Sequence, residues 1–224
     1  TISPYLFFWQ TSQEVEEQIS EGKTTAHSRR GTNDKEIKQM RIDTWSGIFL
    51  SNLVMFFIIA VCANTLFVNG ITDINSASDA ALALKPFAGP WATMLFAIGI
   101  IGTGMLAIPV LAGSTAYAIS ESFGWKEGLY RKFSQARAFY AVIIISVLLG
   151  IILNFIGIDP IKALIYSAIG NGIVAPIILI FIVHISSSKK IMGKYRNSTF
   201  GNIAGWTITF LMGVTAIAAI YSLF

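Results

Sequence analysis

Few side chains in this 224-residue chain can do chemistry, and where they stand is the first clue. The amides Asn52, Asn64, Asn154 and Asn171 lie inside long apolar stretches. An amide there costs free energy unless it finds a partner or lines a cavity. Asn171 sits between Gly170 and Gly172, shortly before Pro176. The glycines weaken a helix and the proline removes a backbone donor. This step therefore reads either as an interhelical hydrogen bond or as a point on a substrate path. Asn52, Asn64 and Asn154 carry the same two readings, with the hydrogen bond the simpler. His184 stands near the end of its stretch, where a snorkelling interface role is expected. The single cysteine, Cys62, reads as a small apolar packer and supports neither a disulfide nor a zinc site.

No acid lies within an apolar stretch. Asp43, Asp73, Glu121 and Asp159 all stand at edges. A cation held by this chain alone would rest on neutral oxygens, a poor set for a divalent ion that favours carboxylates. Either the bound species is not a cation or the acids lie elsewhere. The run GIIGTG at 99–104 has the letters of a dinucleotide loop, but it follows no strand and lies in an apolar stretch. Close helix packing by small residues is the expected role.

The elements that must position these groups follow from composition. The chain is 54% hydrophobic and only 12% charged, against about 25% charged in soluble domains. Charge-free stretches cover 44–72, 86–120, 138–158, 163–188 (with His184 neutral) and 197–224. Each reaches the roughly 20 residues that a helix needs to cross a bilayer. Five spans are predicted, near 45–68, 91–120, 138–157, 161–186 and 200–221. Trp45 would anchor the first at the interface. Ser76 or Ser78 would cap a short helix that Pro86 ends. Residues 20–44 read as a polar cytoplasmic linker. The expected fold is an all-α polytopic membrane protein.

Lys and Arg alternate with the loops. Lys23, Arg29, Arg30, Lys35, Lys38 and Arg41 precede the first span. Lys126, Arg131, Lys132 and Arg137 share one later loop, and Lys189, Lys190, Lys194 and Arg196 another. The two intervening loops hold only Lys85 and Lys162. By the positive-inside rule the rich loops are cytoplasmic and the C-terminus lies outside. Nucleic-acid binding is not expected, because these clusters are short, scattered and juxtamembrane.

The opening stretch, TISPYLFFWQTSQEVEEQ, ties these readings together. Ser3 suits an N-cap and Pro4 the first helical position. The helix over 4–19 is aromatic first, then acidic at Glu14, Glu16 and Glu17. It is too short to cross a membrane. It reads as the inner half of a discontinuous spanning helix, the kind of break at which substrate sites form.

These residues resemble the natural resistance-associated macrophage protein (NRAMP) family of divalent metal transporters. Thr1-Ile2-Ser3-Pro4-Tyr5-Leu6-Phe7-Phe8 is similar to the family's broken sixth helix, A-T-V-M-P-H-N-L. LFAIGIIGTG and AGSTAYAISE resemble its eighth-helix region. Pro176 with Lys189-Lys190-Ile191-Met192-Gly193 resembles its tenth helix and the basic step after it. The resemblance implies the C-terminal part of a LeuT-type inverted repeat. Half of a broken helix (1–19) and a linker (20–44) would precede five transmembrane helices (45–224), with the first five and a half helices outside the chain. It implies that the divalent ion (Mn²⁺, Fe²⁺ or Mg²⁺) is substrate rather than cofactor, moved by alternating access and possible proton coupling. The missing helices, protons and membrane lipid are the implied partners, and a bacterial or archaeal cytoplasmic membrane is the setting.

Site residues follow by position. Ser3 replaces the family's metal-binding Met, Thr1 follows the carbonyl-donating Ala, and Asn171 is the amide nearest a family Gln. Tyr5 replaces the family His. Tyr5, Trp9, Gln10 and Asn52 would line the path. A hydroxyl is harder than a thioether, which weakens discrimination against Mg²⁺ and Ca²⁺. The alternative is an inverted-repeat symporter for an organic substrate such as an amino acid. No nucleophile–base pair or His cluster favours an enzyme.

Overall fold

The computed structural model describes residues 3–71, 74 and 76–221, without the side chains of Asp79, Ala83, Phe87 and Ala88. Among these residues the chain is all-α, with no strand. The helices are α1 (Pro4–Ser20), α2 (Asp34–Thr65), α3 (Ala77–Ala83), α4 (Lys85–Ala88), α5 (Ala92–Ser122), α6 (Arg137–Phe155), α7 (Pro160–Ser187), α8 (Lys189–Met192) and α9 (Thr199–Tyr221). Five of them, α2, α5, α6, α7 and α9, are long and apolar enough to cross a membrane. Their outer faces are bare: α2 buries no residue, and Phe49 and Phe56 on it are 63% and 64% exposed. Such faces are stable only against hydrocarbon or other apolar protein segments.

Two local features depart from the sequence expectation. α2 begins at Asp34 rather than near 45. Asn33 Oδ1 accepts the Glu36 N–H at 2.9 Å, and the Glu36 carboxylate accepts the Asn33 N–H at 3.3 Å. This reciprocal box satisfies two orphan donors and extends the helix by about three turns. The irregular linker shrinks to residues 21–33. Pro86 does not end the short outer helix. α3 stops at Ala83, and Pro86 opens α4, where its missing donor costs nothing. α7 runs unbroken through Gly170-Asn171-Gly172 and Pro176, so the weak step stays helical. At the start of α7 the Asp159 carboxylate accepts the Ile161 N–H at 2.8 Å and caps the helix ahead of Pro160.

The chain divides into two compact units. The first covers Tyr5–Ile161. Its core joins Ala116, Tyr117, Ala136 and Phe139, with Trp9, Tyr140, Val142 and Ile143 packed against them. α5 and α6 lie along one another and α3 lies on α5. The second unit holds Ser3, Pro4 and the residues from Lys162 onward. There a Cβ on Gly205 of α9 would stand 2.9 Å from a Val183 methyl on α7, so the missing side chain allows the approach. The Ser187 hydroxyl donates to Asn202 Oδ1 at 2.7 Å, and Asn197 Nδ2 donates to Ser186 Oγ at 2.9 Å.

Candidate functional site: the seat of the first helix

Helix α1 is fastened to α5 at three positions on one of its faces, Tyr5, Trp9 and Glu16. Their spacing of four and then seven residues is that of a single helix stripe. Ser114 Oγ donates to the Tyr5 carbonyl at 2.7 Å. Trp9 lies edge-on to Tyr117, with ring centroids 6.2 Å apart. Its indole occupies the space where Gly113 lacks a side chain, since a Cβ there would fall 2.5 Å from the ring. At the far end, Glu16 Oε1 accepts both the Tyr117 hydroxyl and the Leu129 N–H, the latter at 2.5 Å. One carboxylate thus joins α1, α5 and the α5–α6 connection. Hydrogen bonds to an ionised acceptor are about twice as strong as neutral ones.

The connection itself is shaped for this contact. Gly128 adopts φ +121°, a conformation that side chains resist, and a Cβ there would strike the Tyr130 ring and stand 3.3 Å from Glu16 Oε1. The Tyr140 hydroxyl donates to the Arg131 carbonyl at 2.7 Å, and Arg131 Nε donates to the Glu127 carbonyl at 2.9 Å. Glu127 Oε2 is buried without a hydrogen-bond partner among the described residues. Burial, and then the charge of Glu121, holds its carboxyl above the usual range against the opposing pull of Arg131.

Two cavities flank this seat. One of about 420 Å³ lies at the end of α1 and is lined by Glu16, Arg29, Tyr117, Glu121, Glu127 and Arg131 among others. Its walls mix both signs of charge. The other, about 410 Å³, lies between α5 and α6 and is mostly aliphatic, with Thr115, Ser146 and Asn154 as its polar lining. Among the described residues no three His, Cys, Asp or Glu side chains group to hold a metal ion.

The residues singled out from sequence are distributed as follows. Ser3 immediately precedes α1 and is half-buried. Tyr5, Trp9 and Gln10 share the first turns of α1, where Trp9 packs into the core and Gln10 is exposed. Asn52 is half-buried on α2 and donates to its own helix at the Ile48 carbonyl, 2.8 Å away. Asn171 is half-buried on α7. Thr1 lies outside the described residues. Ser3 and Asn171 belong to the second unit, and Tyr5, Trp9, Gln10 and Asn52 to the first.

Asn64 and Asn154 also donate to the carbonyl four residues back, at 2.8 and 3.2 Å, rather than across to another helix. The GIIGTG run does not make the close packing expected of it. A Cβ at Gly99 or Gly102 would meet nothing within 4 Å, and one at Gly104 would meet only Ile108 of the same helix. Sequence reasoning missed the clasp of Glu16 and Tyr117 and the notch at Gly113. The readable signal was the spacing Gly113, Tyr117, Ser120, a small–aromatic–small stripe on one face of α5.

Comparison with known proteins gives a consistent answer. Residues 1–222 match the family model for natural resistance-associated macrophage protein-like proteins. The chain is 24% identical over 204 residues to a divalent metal cation transporter MntH of Clostridium acetobutylicum, covering 88% of this chain and 44% of that protein. It is 25% identical over 207 residues to the protein of the same name from Caldanaerobacter subterraneus subsp. tengcongensis, covering 92% and 44%. The corresponding figures for the Deinococcus radiodurans protein of that name are 22% over 178 residues, 79% and 38%. The chain thus spans less than half the length of these relatives. The all-helical architecture, the five apolar helices and a match running over almost every residue agree: this chain belongs to the natural resistance-associated macrophage protein-like family.

Proposed function

We propose that this chain forms part of a secondary transporter that moves divalent metal cations across a membrane by alternating access. The family match over residues 1–222 carries the reading. Three relatives named as divalent metal cation transporters support it. The chain belongs to an integral membrane protein, as its family and five apolar helices require. In this reading it acts as a carrier rather than an enzyme, and the metal is substrate rather than resident cofactor.

The proposed site lies at the head of α1. Ser3 and the carbonyl preceding or at Thr1 would face the ion, with Asn171 as a further amide ligand. Tyr5, Gln10, Trp9 and Asn52 would line the inward path. Carboxylates for the ion would come from helices outside this chain, since the relatives are more than twice as long. α1 would be the inner half of a broken helix (1–19), followed by a cytoplasmic linker and the five spans. Loops rich in Lys and Arg would face the cytoplasm and the C-terminus the outside of a plasma membrane. A hydroxyl at Ser3 in place of a thioether would place Mg²⁺ and Mn²⁺ beside Fe²⁺ as substrates.

Uptake by proteoliposomes tests the reading. The protein as its cells make it is expected to give saturable uptake of Mn²⁺, Fe²⁺ or Mg²⁺. Uptake of an amino acid with no movement of any of the three ions would replace it with the organic-substrate symporter.

A further inference from the structure

The three basic loops are not equivalent. Lys23, Arg29, Arg30, Lys35, Lys38 and Arg41 are interleaved with Glu21, Asp34, Glu36 and Asp43. Lys23 pairs there with Glu21 at 3.1 Å and Glu36 at 3.8 Å. In and beside the α5–α6 connection, Glu121 on the last turn of α5 and Glu127 stand close in sequence to Lys126, Arg131 and Lys132. The loop between α7 and α9 holds Lys189, Lys190, Lys194 and Arg196 with no acid beside them. No Asp or Glu occurs anywhere from residue 160 to the end of the sequence.

This loop is also held in shape. The Asn197 N–H donates to the Ser186 carbonyl at 2.9 Å. The Asn197–Ser186 and Ser187–Asn202 side-chain bonds close its base. Lys194 lies over the Tyr195 ring, 4.8 Å from its centroid. Lys189, Lys190, Lys194 and Arg196 are all exposed, and between them Ile191 is 63% exposed, an aliphatic side chain beside cations. The loop joins two helices long enough to cross the bilayer, so it lies at the membrane surface.

From this combination we infer that the 188–196 loop is a docking surface for anionic lipid headgroups, with Lys189, Lys190, Lys194 and Arg196 on the phosphate and Ile191 in the interfacial layer. Clusters of four or more juxtamembrane Lys and Arg attract anionic lipid. The sequence of this unit from Lys162 onward supplies cations and no acid. The inference rests on the membrane placement of α7 and α9, not on which ion is carried, so its failure would leave the metal reading intact.

The test uses the purified protein in neutral detergent, titrated with short-chain phosphatidylglycerol, phosphatidylcholine or inorganic phosphate. The thermal midpoint is followed, and retained lipid is counted by native mass spectrometry. Phosphatidylglycerol should raise the midpoint and stay bound; phosphatidylcholine and free phosphate should not. Each of K189Q, K190Q, K194Q and R196Q should weaken the apparent affinity by about fivefold. R29Q/R30Q, in a loop with its own acids, should leave it unchanged. K189R/K190R/K194R keeps the charge and should retain binding even if the neutral variants fold poorly. An unchanged titration in K189Q/K190Q, or equal losses in R29Q/R30Q, would overturn the proposal. So would an equal response to inorganic phosphate, which would mark an ion site rather than a lipid surface.

Discussion

Glu16 and Tyr117, 101 residues apart in sequence, meet through a carboxylate that accepts the phenol hydroxyl while also accepting the Leu129 N–H. Tyr117 is 3% exposed and edge-on to Trp9, so the clasp sits over the core of the first unit rather than on a free surface. Removing the carboxylate leaves the buried Tyr117 hydroxyl without its acceptor, while the Leu129 N–H keeps its 3.2 Å bond to the Tyr117 oxygen. Leaving such a buried group unsatisfied costs about 1–3 kcal/mol. Glu16→Ala is therefore expected to lower stability by about 1–3 kcal/mol, and Tyr117→Phe by less, because Leu129 keeps its bond to Glu16. Thermal unfolding in detergent would measure the order. Hydrogen exchange should show α1 opening before α5. Equal protection of α1 in wild type and Glu16→Ala would mean that the clasp does not hold the helix.

The notch at Gly113 gives a second expectation. A methyl placed there meets the Trp9 ring at 2.5 Å, and the indole is packed between α5 and the core. Gly113→Ala should cost about 1–3 kcal/mol by overpacking, despite alanine's better helix propensity. Pairing it with Trp9→Leu should recover part of the loss, because the smaller side chain vacates the notch. Additive losses in the double variant would place the strain elsewhere.

Glu127 sets a pH dependence. Its carboxyl is held above the ordinary 4.5 by burial and by the charges of Glu121 and Glu16. The fold therefore favours the protonated form. That contribution is complete below the ordinary glutamate value and is lost as pH rises through the raised one. Stability of the first unit should increase as the medium is acidified from neutral toward that range. Glu127→Gln should flatten the dependence and stabilise the protein at neutral pH. A steeper dependence in the variant would refute the assignment.

The box at the start of α2 predicts that Asn33→Ala costs about 1 kcal/mol and frays residues 34–44. Amide exchange over that segment would report it. Protection there unchanged by the substitution would show that the early start of α2 does not depend on the cap.

Much of this architecture is legible in the sequence because it depends on long-wavelength patterns. Charge-free stretches give the five apolar helices, and Ser3-Pro4 gives the start of α1. Details that depend on partners distant in sequence are not. Nothing local marks Glu16 as different from Glu14 or Glu17, because its role is defined by Tyr117 and Leu129. The glycines of GIIGTG look like a packing motif by composition, yet the close approach occurs at Gly113, whose neighbour is on another helix. Asn64 and Asn154 invite a cross-helix partner, but the carbonyl four residues back is already within reach. The capping box of α2 was readable from Asn33 and Glu36, but it lies in a polar segment that hydropathy alone assigns to a linker. The proposed metal ligands Ser3 and Asn171 belong to a site whose charged members would lie on other helices.

The most direct test of the central claim is competition between Mn²⁺ and Mg²⁺ for uptake into proteoliposomes carrying the protein as its cells make it, with Ser3 intact and with Ser3→Met. A thioether at this position should shift preference toward Mn²⁺, the softer ion. Uptake of neither ion, with no effect of Ser3→Met, would contradict the metal-transport account and leave only the family's fold in common.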